Sequence, residues 1–293
     1  MNILLTDYQS DIVFFSKFIK EYQCWPSLSE SLIKENIKYA FLPSTKDIWV
    51  RDFMPLQIYE NLFVQYKYCP NYLINEKEYL TQPENCYASI QNKIIPCELI
   101  LDGGNIIKCN HCIIMTEKIF YENKQLNKTQ VLSLIEKLFE CEIIVIPWDK
   151  ADIYGHADGM VRFIKDDVVL MNNYIDHDKA FRNKLKKALS NRFVVEELHY
   201  ETNKKYNWYY INFMQLGEKL FIPSFGTKED EKATQLLQNL YKGVIQHVNA
   251  RTLAKRGGAL NCISWTVKKD KTINILFCLL YTSDAADDLL CVD

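Results

Sequence analysis

The stretch 154-YGHADGMVRFIKDDVVLMNNYIDHDKAFRNKLKKAL-189 sets two short apolar runs, 160-MVRFI-164 and 168-VVLM-171, ahead of a charged segment. Short runs rich in β-branched and apolar residues, separated by a few polar ones, read as two neighbouring strands. The charged segment, 178-DKAFRNKLKKAL-189, carries apolar residues at helical spacing with charge on the other face, the pattern of an amphipathic helix. The start of the stretch, 155-GHADGMVRF-163, also places an imidazole and a carboxylate two positions apart among small residues. Read as extended chain, His156 and Asp158 point to one face and share one pocket.

The same alternation runs along the whole chain. Strand-like runs recur at 3-ILLT-6, 39-YAFLP-43, 62-LFVQYKY-68, 94-IIPCELI-100, 112-CIIM-115, 143-IIVIP-147, 209-YYINFMQL-216 and 219-KLFIPSF-225. Further helix-like stretches are 11-DIVFFSKFIKEY-22, 129-TQVLSLIEKLFE-140 and 230-DEKATQLLQNLYKGV-244. Strands in pairs, punctuated by helices, predict an α/β protein. No exact sequence repeat is visible, and no Pro/Gly/Ser linker or low-complexity block divides the chain.

The 293 residues are 48% hydrophobic and 25% charged, an ordinary globular composition long enough for a large core. A net charge of −2 gives no basic footprint for nucleic acid or a membrane surface. No apolar run is long enough to span a bilayer. The start, 1-MNILLTDYQSDIV-13, lacks the pattern of a signal peptide, so the expected location is the cytoplasm, with the ten cysteines as reduced thiols. The end, 278-CLLYTSDAADDLLCVD-293, reads as a non-native, adapter-derived tail, leaving residues 1–277 as a single catalytic domain. Setting it aside lowers the acidic count from 37 to 33 against 35 basic residues, a net of about +2.

Four places break apolar or glycine-rich contexts with residues that carry chemistry. In 48-IWVRDFMP-55, Arg51 and Asp52 follow an apolar run. In 99-LILDGGN-105, Asp102 ends a strand ahead of two glycines that permit a sharp turn. The third is the His156–Asp158 pair. In 256-RGGALNCISW-265, Cys262 sits on permissive backbone after Gly257 and Gly258. Alone, each has a plain structural explanation: a surface ion pair, a turn, a buried small thiol. Together, three carboxylates, an imidazole and a thiol suit a cation with several N–H donors and an electrophilic carbon, and a guanidinium fits. The segment 109-CNHC-112 offers three metal-ligating side chains but no second ligand pair at zinc spacing, so no metal is expected.

With the motifs WVRDFMP, LDGGN, GHADGMVRF, YINF and GGALNCIS in that order from Trp49 to Ser264, the chain resembles the agmatine deiminase and bacterial peptidylarginine deiminase family of the guanidino-group-modifying superfamily. The resemblance implies a five-bladed, pseudo-symmetric α/β propeller, the pentein fold, built of ββαβ-type units around a channel. It implies Cys262 as nucleophile, His156 as general acid and then base, and Asp102 orienting His156 where the family more often has Glu. It implies Asp52 and Asp158 gripping guanidinium nitrogens, Asn212 in the pocket, and Trp49 laid along the cation. The product would be a ureido group plus ammonia, with no metal or organic cofactor.

The expected substrate is a small guanidino molecule, agmatine first, as in polyamine (putrescine) synthesis; arginine and peptidylarginine are alternatives, as is a non-catalytic binding protein of the same fold. A Cys–His hydrolase of another kind would not need three acidic residues aimed at a cation. Asn261 stands where many agmatine deiminases have His, which bears on the substrate more than on the chemistry. The superfamily often forms dimers or larger homo-oligomers. Whether Arg51 or Arg162 faces the pocket to meet an arginine carboxylate is a question for the structure.

Overall fold

In the computed structural model, which describes residues 3–87, 93–202 and 208–269, the chain lays down five three-stranded sheets. Strand β1 (Ile12–Ser16) leads through helix α1 (Trp25–Lys34) to β2 (Lys38–Leu42), parallel to β1. A one-turn helix, α2 (Val50–Phe53), precedes β3 (Leu56–Tyr59) and β4 (Leu62–Lys67), and a short α3 (Glu84–Tyr87) comes before β5 (Lys93–Ile100). The third unit is β6 (Ile107–Lys108), β7 (Cys112–Thr116), α4 (Lys118–Glu122), α5 (Lys128–Phe139) and β8 (Glu142–Ile146). The fourth is β9 (Val161–Lys165), β10 (Val168–Met171), α6 (Lys179–Ser190) and β11 (Val194–Glu197). The fifth is β12 (Met214–Leu216), β13 (Lys219–Ser224), α7 (Glu229–Leu240) and β14 (Val244–Asn249), after which α8 (Arg251–Ala254) leads to β15 (Trp265–Val267).

Each sheet obeys one rule. Its first strand pairs antiparallel with the second, and the second pairs parallel with the third across a helical crossover, as β3–β4–β5, β6–β7–β8, β9–β10–β11 and β12–β13–β14 do. The first sheet lacks a first strand of its own. The chain's last strand supplies it: β15 pairs antiparallel with β1, Ile12 opposite Val267 and Phe14 opposite Trp265. Five like units closed on themselves in this way are the expected five-bladed α/β propeller, and the repeat absent from the sequence is present in the topology.

The structure corrects several local readings. Residues 11–22 are not one α-helix: Ile12–Ser16 is β1, buried at every position because it is the middle strand between β15 and β2, and only Lys17–Glu21 is helical, as a short 3₁₀ segment. A strand covered on both faces reads as a continuous apolar run, which also satisfies helical spacing. The helix of that unit is instead α1, whose polar 27-SLSES-31 hides inward Leu28 and Leu32 behind Pro26 in its first turn. Residues 3–6 form no strand, although Leu4 and Leu5 donate to the carbonyls of Asn110 and Ile58. In 209-YYINFMQL-216 only Met214–Leu216 is strand, after a 3₁₀ turn at Trp208–Ile211. Helix α7 stops at Leu240, and Val244 already begins β14. Helix α5 starts where its capping box puts it, with Asn127 and Gln130 satisfying each other's backbone N–H groups. No described helix is long and apolar enough to cross a membrane. The stretch 278–293 lies outside the described residues.

Candidate active site

The blade rule places the chemistry. Asp52 stands four residues before β3, Asp102 five before β6, His156 and Asp158 five and three before β9, Asn212 two before β12 and Cys262 three before β15. All occupy the loop that enters a blade's first strand, so five equivalent loops bring residues two hundred positions apart together. Backbone bonds bind neighbouring loops: Arg51 N–H donates to the Cys262 carbonyl (3.1 Å) and Asn261 N–H to the Asn212 carbonyl (3.1 Å).

Six of the seven sequence-predicted residues, Trp49, Asp52, His156, Asp158, Asn212 and Cys262, line one cavity of about 240 Å³. The seventh, Asp102, is buried behind the imidazole, its Oδ2 2.9 Å from His156 Nε2. On the other ring edge, His156 Nδ1 lies 3.4 Å from Asp52 Oδ1. Cys262 Sγ is 3.5 Å from Asp158 Oδ2 and 3.4 Å from Asn212 Oδ1, and Asn212 Oδ1 also accepts the N–H of Asn261 at 3.1 Å. Asn261 donates from Nδ2 to Asp158 Oδ2 at 2.7 Å, so its side chain fixes the carboxylate beside the sulfur.

Two backbone readings change. His156 is extended but Ala157–Gly159 is a 3₁₀ turn, so His156 and Asp158 share the cavity through a turn and not through strand alternation. Gly103 and Gly104 serve close approach. A Cβ on Gly103 would lie 2.0 Å from the Arg51 carbonyl oxygen; one on Gly104 would lie 2.7 Å from both Asp52 Oδ1 and His156 Nδ1. Near the thiol, Gly257 has φ +89°, and a Cβ on Gly258 would meet the Trp49 ring at 2.5 Å.

The electrostatics are lopsided. Burial pushes Asp52 up to about 7; His156 opposes this while Asp102 and Asp158 add to it. Burial by itself lowers an imidazole, yet Asp52 and Asp102 outweigh it and Lys118, and His156 stands at about 9. Burial likewise works against ionised Asp102, but Lys118 and His156 hold it below the usual carboxylate range. Burial, then Asp158 and Asp52, push the Cys262 thiol well up. In the empty site the imidazole holds its proton and the sulfur keeps its own.

Sequence reasoning missed Lys118. Fully buried on α4, its Nζ lies 2.5 Å from Asp102 Oδ2, 3.2 Å from Glu122 Oε1 and 4.8 Å from the Tyr72 ring centre. Nothing in 116-TEKIFYEN-123 separates it from a surface lysine of an amphipathic helix. It also missed Asp149 and Asp152, whose acidic pair in 148-WDKAD-152 lies just ahead of His156, and Tyr154, Tyr209 and Arg256, all in the cavity lining. Arg51 and Arg162 do not face this cavity. With Asp7 they line a separate one of about 630 Å³ that holds none of the seven. The smaller cavity is the candidate active site, because there a thiol, an imidazole and several carboxylates converge.

Residues 19–267 match the family model of the Porphyromonas-type peptidyl-arginine deiminases. A protein of Marinomonas sp. (strain MWYL1) named "Putative agmatine deiminase" is 24% identical, over 61% of this chain and 59% of its own. One of the same name from Latilactobacillus sakei subsp. sakei (strain 23K) is 25% identical over 57% of each. The chain therefore spans about three fifths of the length of these relatives. Among solved structures, the agmatine deiminase of C. jejuni superposes with a TM-score of 0.75 at 20% identity, covering 92% of this chain and 97% of that one. DDAH of Pseudomonas aeruginosa does so with a TM-score of 0.60 at 12% identity, over 88% and 100%. These structures share the fold.

Proposed function

The chain belongs to the family of Porphyromonas-type peptidyl-arginine deiminases, and from that premise we propose that it hydrolyses the guanidinium group of a small cation, agmatine first, giving N-carbamoylputrescine and ammonia. One observation carries the reading: the buried carboxylates Asp52 and Asp158 stand beside the Cys262 thiol in one cavity, with His156 against Asp52, while Lys118 is bound to Asp102 and Glu122 behind the imidazole. A planar cation with paired N–H donors completes that charge balance.

Asp52 and Asp158 face the guanidinium nitrogens, and Trp49 lies along the cation. The guanidinium beside Cys262 reverses the effect of the two aspartates and favours the thiolate. The sulfur attacks the guanidinium carbon, and the tetrahedral adduct expels ammonia as His156 gives its proton to the leaving nitrogen. A thiouronium ester remains. His156, now neutral and held by Asp102, takes a proton from water, whose oxygen adds to the same carbon. Collapse breaks the C–S bond as the remaining hydroxyl proton leaves to solvent, returns the sulfur as thiolate and leaves the neutral ureido product.

Asp149 and Asp152 in the cavity lining favour a substrate whose far end is an amine. Arg256, in the same lining, favours a second reading, arginine, whose carboxylate it would meet. We take residues 1–277 as one catalytic unit, because β15 completes the first sheet. The test is a ureido colour assay on agmatine, arginine and an arginine peptide, with Cys262→Ser as control. Signal on agmatine alone, absent in the variant, supports the first reading. Signal on arginine that Arg256→Ala abolishes supports the second. No signal on any of the three from folded protein sinks both.

A further inference from the structure

The hairpin turn between β6 and β7 carries 109-CNHC-112, apart from the Cys262 cavity. Its three ligand atoms, two sulfurs and a ring nitrogen, lie within 4.8 Å of one another, the one such trio among the described residues. We propose that this turn is a binding site for a thiophilic d¹⁰ cation of the Zn²⁺ or Cu⁺ class, held by Cys109, His111 and Cys112 with a solvent molecule in the fourth position.

One edge of the trio already has the length such an ion needs. Zn–S bonds of about 2.3 Å and Zn–N bonds of about 2.0 Å at tetrahedral angles set S···N edges near 3.5 Å and S···S edges near 3.8 Å. Cys109 Sγ and His111 Nδ1 are 3.6 Å apart, within about 0.1 Å of that edge. The two sulfurs are 2.7 Å apart and must open by about 1 Å, a small side-chain rotation on a turn.

The turn is also held in place. Cys109 N–H donates to the Cys112 carbonyl at 2.9 Å, closing the hairpin, and Cys112 N–H donates to Cys109 Sγ at 3.2 Å, which fixes that sulfur within the turn. Asn110 is pinned three ways: its N–H and Nδ2 donate to the Asp166 carboxylate at 3.1 and 2.5 Å, and its carbonyl accepts from Leu4 N–H at 3.0 Å. With the middle of the turn fixed, little order is lost on binding. His111 is exposed, so an ion has a path in, while both sulfurs are buried. Two sulfurs and an imidazole exclude the oxygen-seeking Ca²⁺ and Mg²⁺.

The test uses the full chain in the Cys262→Ser background, which removes a competing thiol. Reduced protein is titrated with Cd²⁺, read by the thiolate-to-metal absorption band, and with Zn²⁺ in competition against a chelator. The proposal expects one strong equivalent, lost in Cys109→Ser, and at least about tenfold weaker binding in His111→Ala, which alters only an exposed side chain. His111→Ala thus keeps the test valid if Cys109→Ser fails to fold. No strong equivalent, a band that survives in Cys109→Ser, or unchanged affinity in His111→Ala would overturn it.

Discussion

Replacing Asp52 by Asn should stabilise the empty protein while abolishing its activity. Burial lifts Asp52 from 3.8 to about 7. A carboxyl whose folded pKa lies above its unfolded value binds its proton more tightly in the folded state, so stability falls as pH rises from about 4 to about 7 and is level beyond. The lift of about 3 units, at about 1.4 kcal/mol each, costs the folded state about 4 kcal/mol at pH 8. Asn has the same size and keeps an Oδ1 to accept the Gly104 N–H, now 3.1 Å away, but carries no charge to bury. The variant should therefore melt higher at pH 8, by on the order of 10 °C for a chain of this size. At pH 5 the difference should shrink to less than half of that, since the wild-type carboxyl is by then protonated when folded. Deimination should fall by two orders of magnitude or more, because a charge partner of the substrate is gone. Matched melting curves at the two pH values, with ureido formation at saturating substrate, decide it. A lower melting temperature at pH 8, or a gain that does not change with pH, would refute the reasoning.

The rate at low substrate should follow a bell. It rises as Asp52 deprotonates near 7 and falls as His156 loses its proton near 9, so an optimum below pH 6 in a kcat/KM profile would contradict the assignment. Alkylation of Cys262 in the empty enzyme should be slow until pH exceeds the ordinary thiol range, because burial, Asp158 and Asp52 hold the proton on; a half-maximal rate below pH 7 without ligand would rule out activation by substrate. Gly104→Ala should cost about a hundredfold in kcat, since its Cβ would fall 2.7 Å from both Asp52 Oδ1 and His156 Nδ1, and wild-type turnover would show that the loop yields freely. Lys118→Met should destabilise the fold by about 3–5 kcal/mol by leaving Asp102 and Glu122 buried without their cation, which denaturant midpoints would register.

What the sequence made legible follows from where information is local. Asp52, Asp102, His156, Asp158 and Cys262 stand out because each interrupts an apolar or glycine-rich run, a pattern visible within ten residues, whereas Asn212 is implied only by the family resemblance. The blade repeat is not local in that sense. It lies in the pairing rule, and its first unit is assembled from Ile12–Ser16 and Trp265–Val267, which no window spans. Lys118 was invisible for a related reason: its i,i+4 partner Glu122 is what any surface helix offers, and only the fold brings Asp102 to 2.5 Å. The helix expected at 11–22 failed because complete burial removes the polar face by which a strand and a helix are told apart.

The ring also explains why a polar site this dense can be built. One loop cannot hold three carboxylates, an imidazole and a thiol within reach of each other, because the cost of burying them together would favour opening it into water. Here four of the five loops contribute one or two such residues, the loop before β12 contributes Asn212, and each loop is anchored by the sheet it enters, so opening the site means unpairing a blade. The glycines make the final approach: Gly104 admits Asp52 and His156 to contact distance, and Gly258 admits Trp49. Burial first, and the neighbouring carboxylates after it, show in the folded state as a raised carboxyl at Asp52 and a raised thiol at Cys262. Both are relieved by a cation, and one of them is the nucleophile. On the proposed reaction, the interaction that recognises the guanidinium is therefore the same one that frees the sulfur to attack it, and a neutral isostere filling the same 240 Å³ should bind weakly and leave Cys262 protonated.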